Sequence, residues 1–372
     1  MSIEPFHIQI SEQQLDDLRN RLGATRWPDT LDATSGESGL GLSYAKELID
    51  FWKNQYDWRA AEEQLNAFSH YRINLDGMRI HFLHEKGKGD RRLPLLLIHG
   101  WPGSFWEMHK VIPFLQQQES FDLIIPSLPG YGFSDRPTSR GMNSRKIADL
   151  FARLMRELGY TRCVAQGGDW GAGVATWLAL DHPEQVQALH LNYIPGSYRP
   201  HFEEAQLTAA EKEFLVSAEE WYRTDGGYGH LQATRPQTAA FALNDSPAGL
   251  AAWIVEKFRD WSDCGGDVEK RFTKEELLTN VSIYWFTQTI HSSMRLYREA
   301  AAMPLRLQSG QKIEVPCAVA RFPLEAPMPP LEWVKRGYNV VRWTEMRSGG
   351  HFAALEEPDA LAADICSFLG SS

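Results

Sequence analysis

The chain has 372 residues and 42.3 kDa, with 43% hydrophobic and 23% charged side chains. Those globular proportions exclude a disordered chain and leave room for one large α/β domain with an insertion, or for two ordinary domains. A net charge of −10, a pI near 5.7 and no cluster of Lys or Arg argue against nucleic acid and anionic membranes as partners, and the 13 Trp suggest an aromatic-lined cavity for a small apolar molecule.

Residues 10–66 show helical spacing, with Leu15, Leu18 and Leu22 on one face and then Leu48, Phe51 and Trp52. The Trp27-Pro28-Asp29-Thr30 break and a Gly/Ser-rich loop at 35–41 separate the two runs. Positions 1–70 therefore read as an N-terminal helical arm. The first residues lack the basic and apolar regions of a signal peptide, and no apolar run reaches membrane-spanning length. Cys163, Cys264, Cys317 and Cys366 are widely spaced, three of them in apolar runs, as buried free thiols in a reducing compartment would be. The expectation is a cytoplasmic protein, and Asn280-Val281-Ser282 is then a chance glycosylation match.

From 71 to 195 β-like runs (71–75, 79–84, 95–99, 123–125, 162–165 and 187–192) alternate with helical segments at 144–158 and 171–181. Strand-helix alternation predicts a parallel, doubly wound sheet. Between 196 and 303 the pattern turns helical and aromatic, which reads as a cap inserted into that domain. Strands resume at 314–320 and 339–344, and an amphipathic helix at 358–369 closes the core over 304–372.

Within this frame, Gln166-Gly167-Gly168-Asp169-Trp170-Gly171-Ala172-Gly173 follows an apolar run and precedes a helix. It reads as a nucleophile elbow, the sharp strand-to-helix turn whose middle residue is strained and whose neighbours must lack bulk. Here the middle residue is Asp. A carboxylate is nucleophilic at neutral pH and attacks saturated carbon to give an alkyl ester, so the substrate should carry an electrophilic sp3 carbon. Taken alone, Asp169 would read as a helix N-cap. A dinucleotide fingerprint over 171–176 is a poorer match, because its third small position is Thr176. The residues elsewhere in the chain favour the nucleophile.

Turnover of an ester needs a base that activates water. His351, in Gly349-Gly350-His351-Phe352 between the last strand and the last helix, has the position of an α/β-hydrolase base. The acid that steadies it should follow an earlier strand. Glu325 fits that order, with Glu332, Glu345 and Asp263 as rivals. Two N–H donors are needed for the oxyanion, and Trp170 supplies one after the nucleophile. Trp101, in His99-Gly100-Trp101-Pro102-Gly103-Ser104 after an apolar strand, supplies the other.

These motifs, with Leu128-Pro129-Gly130-Tyr131-Gly132-Phe133-Ser134-Asp135, Arg26-Trp27-Pro28, 242–250 and Phe322-Pro323-Leu324-Glu325, resemble the microsomal-type branch of the epoxide hydrolases. The resemblance runs from the arm to the last helix. It implies the α/β-hydrolase fold, a mostly parallel sheet with an inserted helical cap and an N-terminal arm. It also implies Glu325 as the acid and two cap tyrosines, at Tyr228 and Tyr297, as donors to the epoxide oxygen. Spacing alone does not single out those two among the 12 Tyr. Microsomal members carry an N-terminal membrane anchor, whereas this chain starts directly with the arm, so a soluble, bacterial-like form with no membrane anchor is expected.

The expected reaction is conversion of an apolar or aromatic epoxide to a vicinal diol, with water as co-substrate. No metal or organic cofactor is expected; His99, His109 and His182 lack ligand-like spacing. A haloalkane or haloacid dehalogenase shares the Asp-Trp pair, but the two Tyr positions argue against it. A non-catalytic receptor on this fold would have a broken triad. Neither the natural epoxide nor the oligomeric state is legible, and an exposed aromatic arm or cap is where a homodimer could form.

Overall fold

The structure, a computed structural model, describes residues 2–31, 36, 38–89, 92–117, 120–203 and 206–370, so part of the 35–41 loop (Ser35 and Glu37) lies outside the described residues. After the edge strand β1 (Ile3–Pro5) come helices α1 (Glu12–Gly23), α2 (Leu42–Asn54) and α3 (Trp58–Asn66). Strands β2 (His70–Leu75) and β3 (Met78–Glu85) precede β4 (Leu93–Ile98), α4 (Val111–Gln116), β5 (Phe121–Pro126), α5 (Ser144–Glu157), β6 (Cys163–Gly167), α6 (Asp169–Asp181) and β7 (Val186–Leu191). Helices α7 (Ala209–Thr224), α8 (Gly227–Thr234), α9 (Pro236–Leu243), α10 (Pro247–Asp260), α11 (Lys274–Thr287) and α12 (Ile290–Ala301) stand between β7 and β8 (Ile313–Arg321). Last come α13 (Leu331–Lys335), β9 (Tyr338–Glu345), α14 (Ala353–Glu356) and α15 (Pro358–Gly370).

Alternation along the central strands explains the layers. Leu96 and Ile98 of β4, Ile124 of β5 and Ala165 of β6 enter one apolar core, while Leu95, Leu97, Leu123, Ile125 and Val164 enter the other. Successive side chains of a strand point to opposite faces, so a strand apolar at every position must be covered on both. Helix α6 and the amphipathic α5 belong to the first core, and α4 and α15 to the second. The sheet order is β1-β2-β3-β5-β4-β6-β7-β8-β9, parallel from β5 through β9.

One edge departs from the parallel expectation: β1, β2 and β3 pair antiparallel, and β3 pairs antiparallel with β5. Asp76-Gly77 is the cause. Both residues have positive φ, 54° and 80°, so the chain reverses in two residues and β2 can only pair with β3 as a hairpin.

The arm packs against both the sheet edge and the helices between β7 and β8. Strand β1 pairs with β2 at the sheet edge, Arg21 pairs with Asp245, and the Tyr56 hydroxyl lies 3.0 Å from that of Thr279, while within the arm Ile8 exchanges two hydrogen bonds with the Asn66 amide. No helix among the described residues is long and apolar enough to cross a membrane.

The sheet order reverses at β4, which has β5 on one side and β6 on the other. Open parallel sheets leave a crevice at the carboxyl ends of strands at such a point. Ile98 at the end of β4 is paired with Gly167 at the end of β6, so the segments that leave these two strands emerge side by side.

Candidate active site

Asp169 is the first residue of α6 and has φ 45°, a left-handed conformation rare for a residue with a Cβ. Close packing of α6 on β4 holds it there. A Cβ on Gly171 would run into the Ile98 carbonyl, and one on Gly100 would overlap the Asp169 side chain, so only glycine permits either approach. The Trp101 N–H donates to Asp169 Oδ1 at 2.7 Å. His99 steadies this loop, its Nδ1 donating to the Gly100 carbonyl at 3.0 Å and its Nε2 accepting the Leu128 N–H at 3.1 Å. Burial pushes its pKa down to about 4, which keeps that acceptor unprotonated. Trp170 is in the first turn of α6, where the helix leaves N–H groups without intrahelical acceptors.

His351 lies between β9 and α14. Its Nδ1 donates to Glu325 Oε1 at 2.7 Å, and its Nε2 is 3.5 Å from Asp169 Oδ2. Glu325 comes from the loop after β8 and its side chain is fully buried. Burial opposes charge on His351, but the Glu325 and Asp169 carboxylates outweigh it and hold the imidazole pKa well above its ordinary value. The rival acids are engaged elsewhere: Asp263 with Arg271, Glu345 with Arg321, and Glu332 with the Thr208 hydroxyl.

The loop that carries His351 is held from several sides. Trp261, just after α10, accepts the His351 N–H at 2.9 Å, and Asp263 accepts the Gly349 N–H at 3.0 Å. Glu356 accepts the N–H groups of Gly350, Phe352 and Asp263. Sequence reasoning missed Glu356 as an anchor, because an acid at the end of α14, just before Glu357-Pro358, gives no signal of burial.

Above Asp169 lies a cavity of about 490 Å³, lined by Asp169, Trp170, Tyr193, Trp221, Tyr228 and Tyr297 among others. Its size suits a small organic molecule. Tyr228 comes from α8 and Tyr297 from α12, their ring centroids 5.9 Å apart. Tyr228 stacks on Trp101 at 5.4 Å, and Tyr297 sits edge-on to Trp170 at 4.7 Å. Burial and the Asp169 carboxylate push the Tyr228 hydroxyl well above the ordinary tyrosine pKa, and burial, Tyr228 and Asp169 do the same for Tyr297. Both are therefore neutral donors at pH 7. The structure thus brings Asp169, His351, Glu325, Tyr228, Tyr297 and the backbone of Trp101 and Trp170 to one place.

Residues 3–108 match the family model described as "Epoxide hydrolase N terminus", and residues 94–224 match "alpha/beta hydrolase fold". The chain is 38% identical to Epoxide hydrolase 1 of Oryctolagus cuniculus over 99% of this chain and 89% of the relative. Among solved structures, that of Aspergillus niger epoxide hydrolase superposes with a TM-score of 0.89 at 31% identity, covering 100% of this chain and 97% of the other. The juvenile hormone epoxide hydrolase of the silkworm Bombyx mori gives 0.87 at 32%, covering 100% and 94%.

Proposed function

Since the chain belongs to the epoxide hydrolases of the α/β-hydrolase fold, we propose that Asp169 is the nucleophile with which it opens its epoxide, and that His351 and Glu325 return the resulting ester to carboxylate. One Asp169 oxygen attacks a ring carbon as the C–O bond breaks. Tyr228 and Tyr297 polarise the ring oxygen, and one of them gives it a proton. Two neutral phenols suit this step because the oxygen becomes basic only as the ring opens.

His351, fixed by its bond to Glu325, then takes a proton from water, whose oxygen adds to Cγ of the ester. The resulting oxyanion is stabilised by the Trp101 and Trp170 N–H groups, the first of which already reaches a nucleophile oxygen at 2.7 Å. As the carbonyl re-forms, the Cγ–O(alkyl) bond breaks and the alkoxide takes the His351 proton, giving the vicinal diol. The proton left on the new Asp169 carboxylic acid restores the tyrosine pair. The sum is one epoxide plus one water to one diol.

The observation that carries this reading is the placement of the His351 ring between Asp169 and Glu325, at 3.5 Å and 2.7 Å, beneath a cavity that the two tyrosines line. The aromatic lining supports an apolar or aromatic epoxide as substrate. In domain terms, 1–70 is the arm, 196–303 the cap that supplies the tyrosines, and 71–195 with 304–372 the hydrolase core. The unbridged cysteines among the described residues support a cytoplasmic enzyme. The exposed Trp27 of the arm and Phe241 of the cap offer surface for a homodimer, to be read by sedimentation.

With a styrene-oxide-type substrate, Asp169→Asn should form no diol, and His351→Gln should accumulate a covalent adduct visible in the intact-protein mass. No adduct in the His351 variant would overturn the two-step scheme.

A further inference from the structure

Resting on that two-step reading, we propose that the water that hydrolyses the ester occupies a separate small cavity behind Asp169, held there by Glu107 and Gln166 against His351. The cavity is about 20 Å³ and is lined by Glu107, Gln166, Asp169, Asn192 and His351 together with apolar side chains. That volume holds one water molecule, and the polar lining is what such a water requires. Asp169 is the one residue common to this lining and to that of the large cavity. Substrate and water would therefore reach the same residue from separate cavities.

Two observations mark the cavity as built for a polar occupant. Gln166 is 1% exposed and spends its amide N–H on Asn192 Oδ1 at 2.8 Å, yet its Oε1 has no hydrogen-bond partner among the described residues. A buried carbonyl oxygen left without a donor costs about 1–3 kcal/mol, so a water that donates to it is favoured. Glu107, in the 3-10 turn Phe105–His109, places its carboxyl where a Cβ on Gly103 would stand. The small residue in the oxyanion loop is what admits it.

A tetrahedral water fits this frame with its four positions assigned. Its protons go to His351 Nε2 and Gln166 Oε1, one lone pair accepts from the neutral Glu107 carboxyl, and the other faces Cγ of Asp169. Burial, with the nearby Asp169 charge adding and His351 opposing, pushes the Glu107 pKa up to about 8, which keeps it a donor at pH 7. The other titratable groups around it are Tyr284 and, on its far side, His109 and Glu276. In the step itself, the water O–H bond breaks toward His351 as the new O–Cγ bond forms, and Glu107 keeps its own proton.

Rapid-quench single turnovers on Glu107→Leu, read by intact-protein mass, separate the two half-reactions. Alkylation should keep its rate while ester hydrolysis slows about 10-fold or more, so that adduct accumulates. Glu107→Gln retains a donor and an acceptor and should recover most of the lost hydrolysis. Gln166→Leu provides a second reading should Glu107→Leu fail to fold, with the same selective loss expected. Hydrolysis at the wild-type rate in whichever of the two leucine variants folds, or equal slowing of both steps, overturns the water site. If His351→Gln traps ester while the leucine variants turn over normally, only this inference falls. If His351→Gln traps none, the mechanism beneath it falls first.

Discussion

Replacing Glu325 with Gln tests how much of the second half-reaction depends on the buried acid. The substitution keeps size and shape but removes the charge from a fully buried partner 2.7 Å from His351 Nδ1. In the proposed mechanism imidazolium develops as His351 takes the proton of water, so the bond to Glu325 is strongest in that transition state. A hydrogen bond to an ionised group contributes about 1.5–3 kcal/mol. The expected loss in ester hydrolysis is therefore about 10- to 150-fold. Alkylation uses Asp169 and the tyrosines, and should change less than about 3-fold by the same reasoning. The sign of the pH effect follows too. Glu325 raises the His351 pKa, and hydrolysis needs neutral His351, so removing the carboxylate should move the acid limb of the hydrolysis profile to lower pH. Single-turnover rates between pH 5 and pH 10, each step fitted separately, would decide. Unchanged hydrolysis, proportional loss in both steps, or an acid limb that moves upward would refute the argument.

Tyr228→Phe and Tyr297→Phe should each slow alkylation and leave ester hydrolysis unaffected, with the double variant losing roughly 10²–10⁴-fold in rapid-quench rate. Gly171→Ala should lower stability by about 1–3 kcal/mol in urea unfolding, because its Cβ meets the Ile98 carbonyl. Gly173→Ala is the control: its Cβ would meet only Ser144 at 3.6 Å, and it should be neutral or slightly stabilising. Asp364 accepts hydrogen bonds from His190, Thr344 and Arg342, and although burial opposes ionisation these partners hold its pKa to about 2. Its contribution is present above the unfolded value of about 4 and should be lost as pH falls toward 2, and Asp364→Leu should cost roughly 3–5 kcal/mol at pH 7. Urea titrations at pH 7 and pH 3 would show whether the variant's deficit shrinks in acid.

How far the sequence carried the fold depended on whether a signal was local. The central strands are apolar at nearly every position and bounded by turn residues, so their existence and bounds were readable to within a residue or two. β1 was not, because Ile3–Pro5 is short, exposed throughout and a strand only by pairing with β2. The split between α2 and α3 was available in principle, since Asp57 caps α3 by accepting the N–H groups of Arg59 and Ala60. Asp76-Gly77 likewise announces the hairpin that makes the sheet edge antiparallel. In the site, the nucleophile elbow and the His351 loop carry their own glycine patterns, whereas Tyr228 and Tyr297 look like any cap aromatics and came only from resemblance. Glu107 and Glu356 were illegible. Each is an acid in a short helical segment, indistinguishable from a solvated charge until the fold closes around it.

In the proposed mechanism, the position of His351 between two carboxylates sets the order of events. While Asp169 is free, both neighbours are anions, and an imidazole so placed keeps its proton and is useless as a base. Esterification erases one of the two charges. The proton is then held less tightly and passes to solvent, to be regained when Asp169 is again an anion, so the ring becomes competent to deprotonate water only once there is an ester to cleave. Loading the nucleophile thus arms the group that unloads it, a sequence imposed by local charge without any moving part.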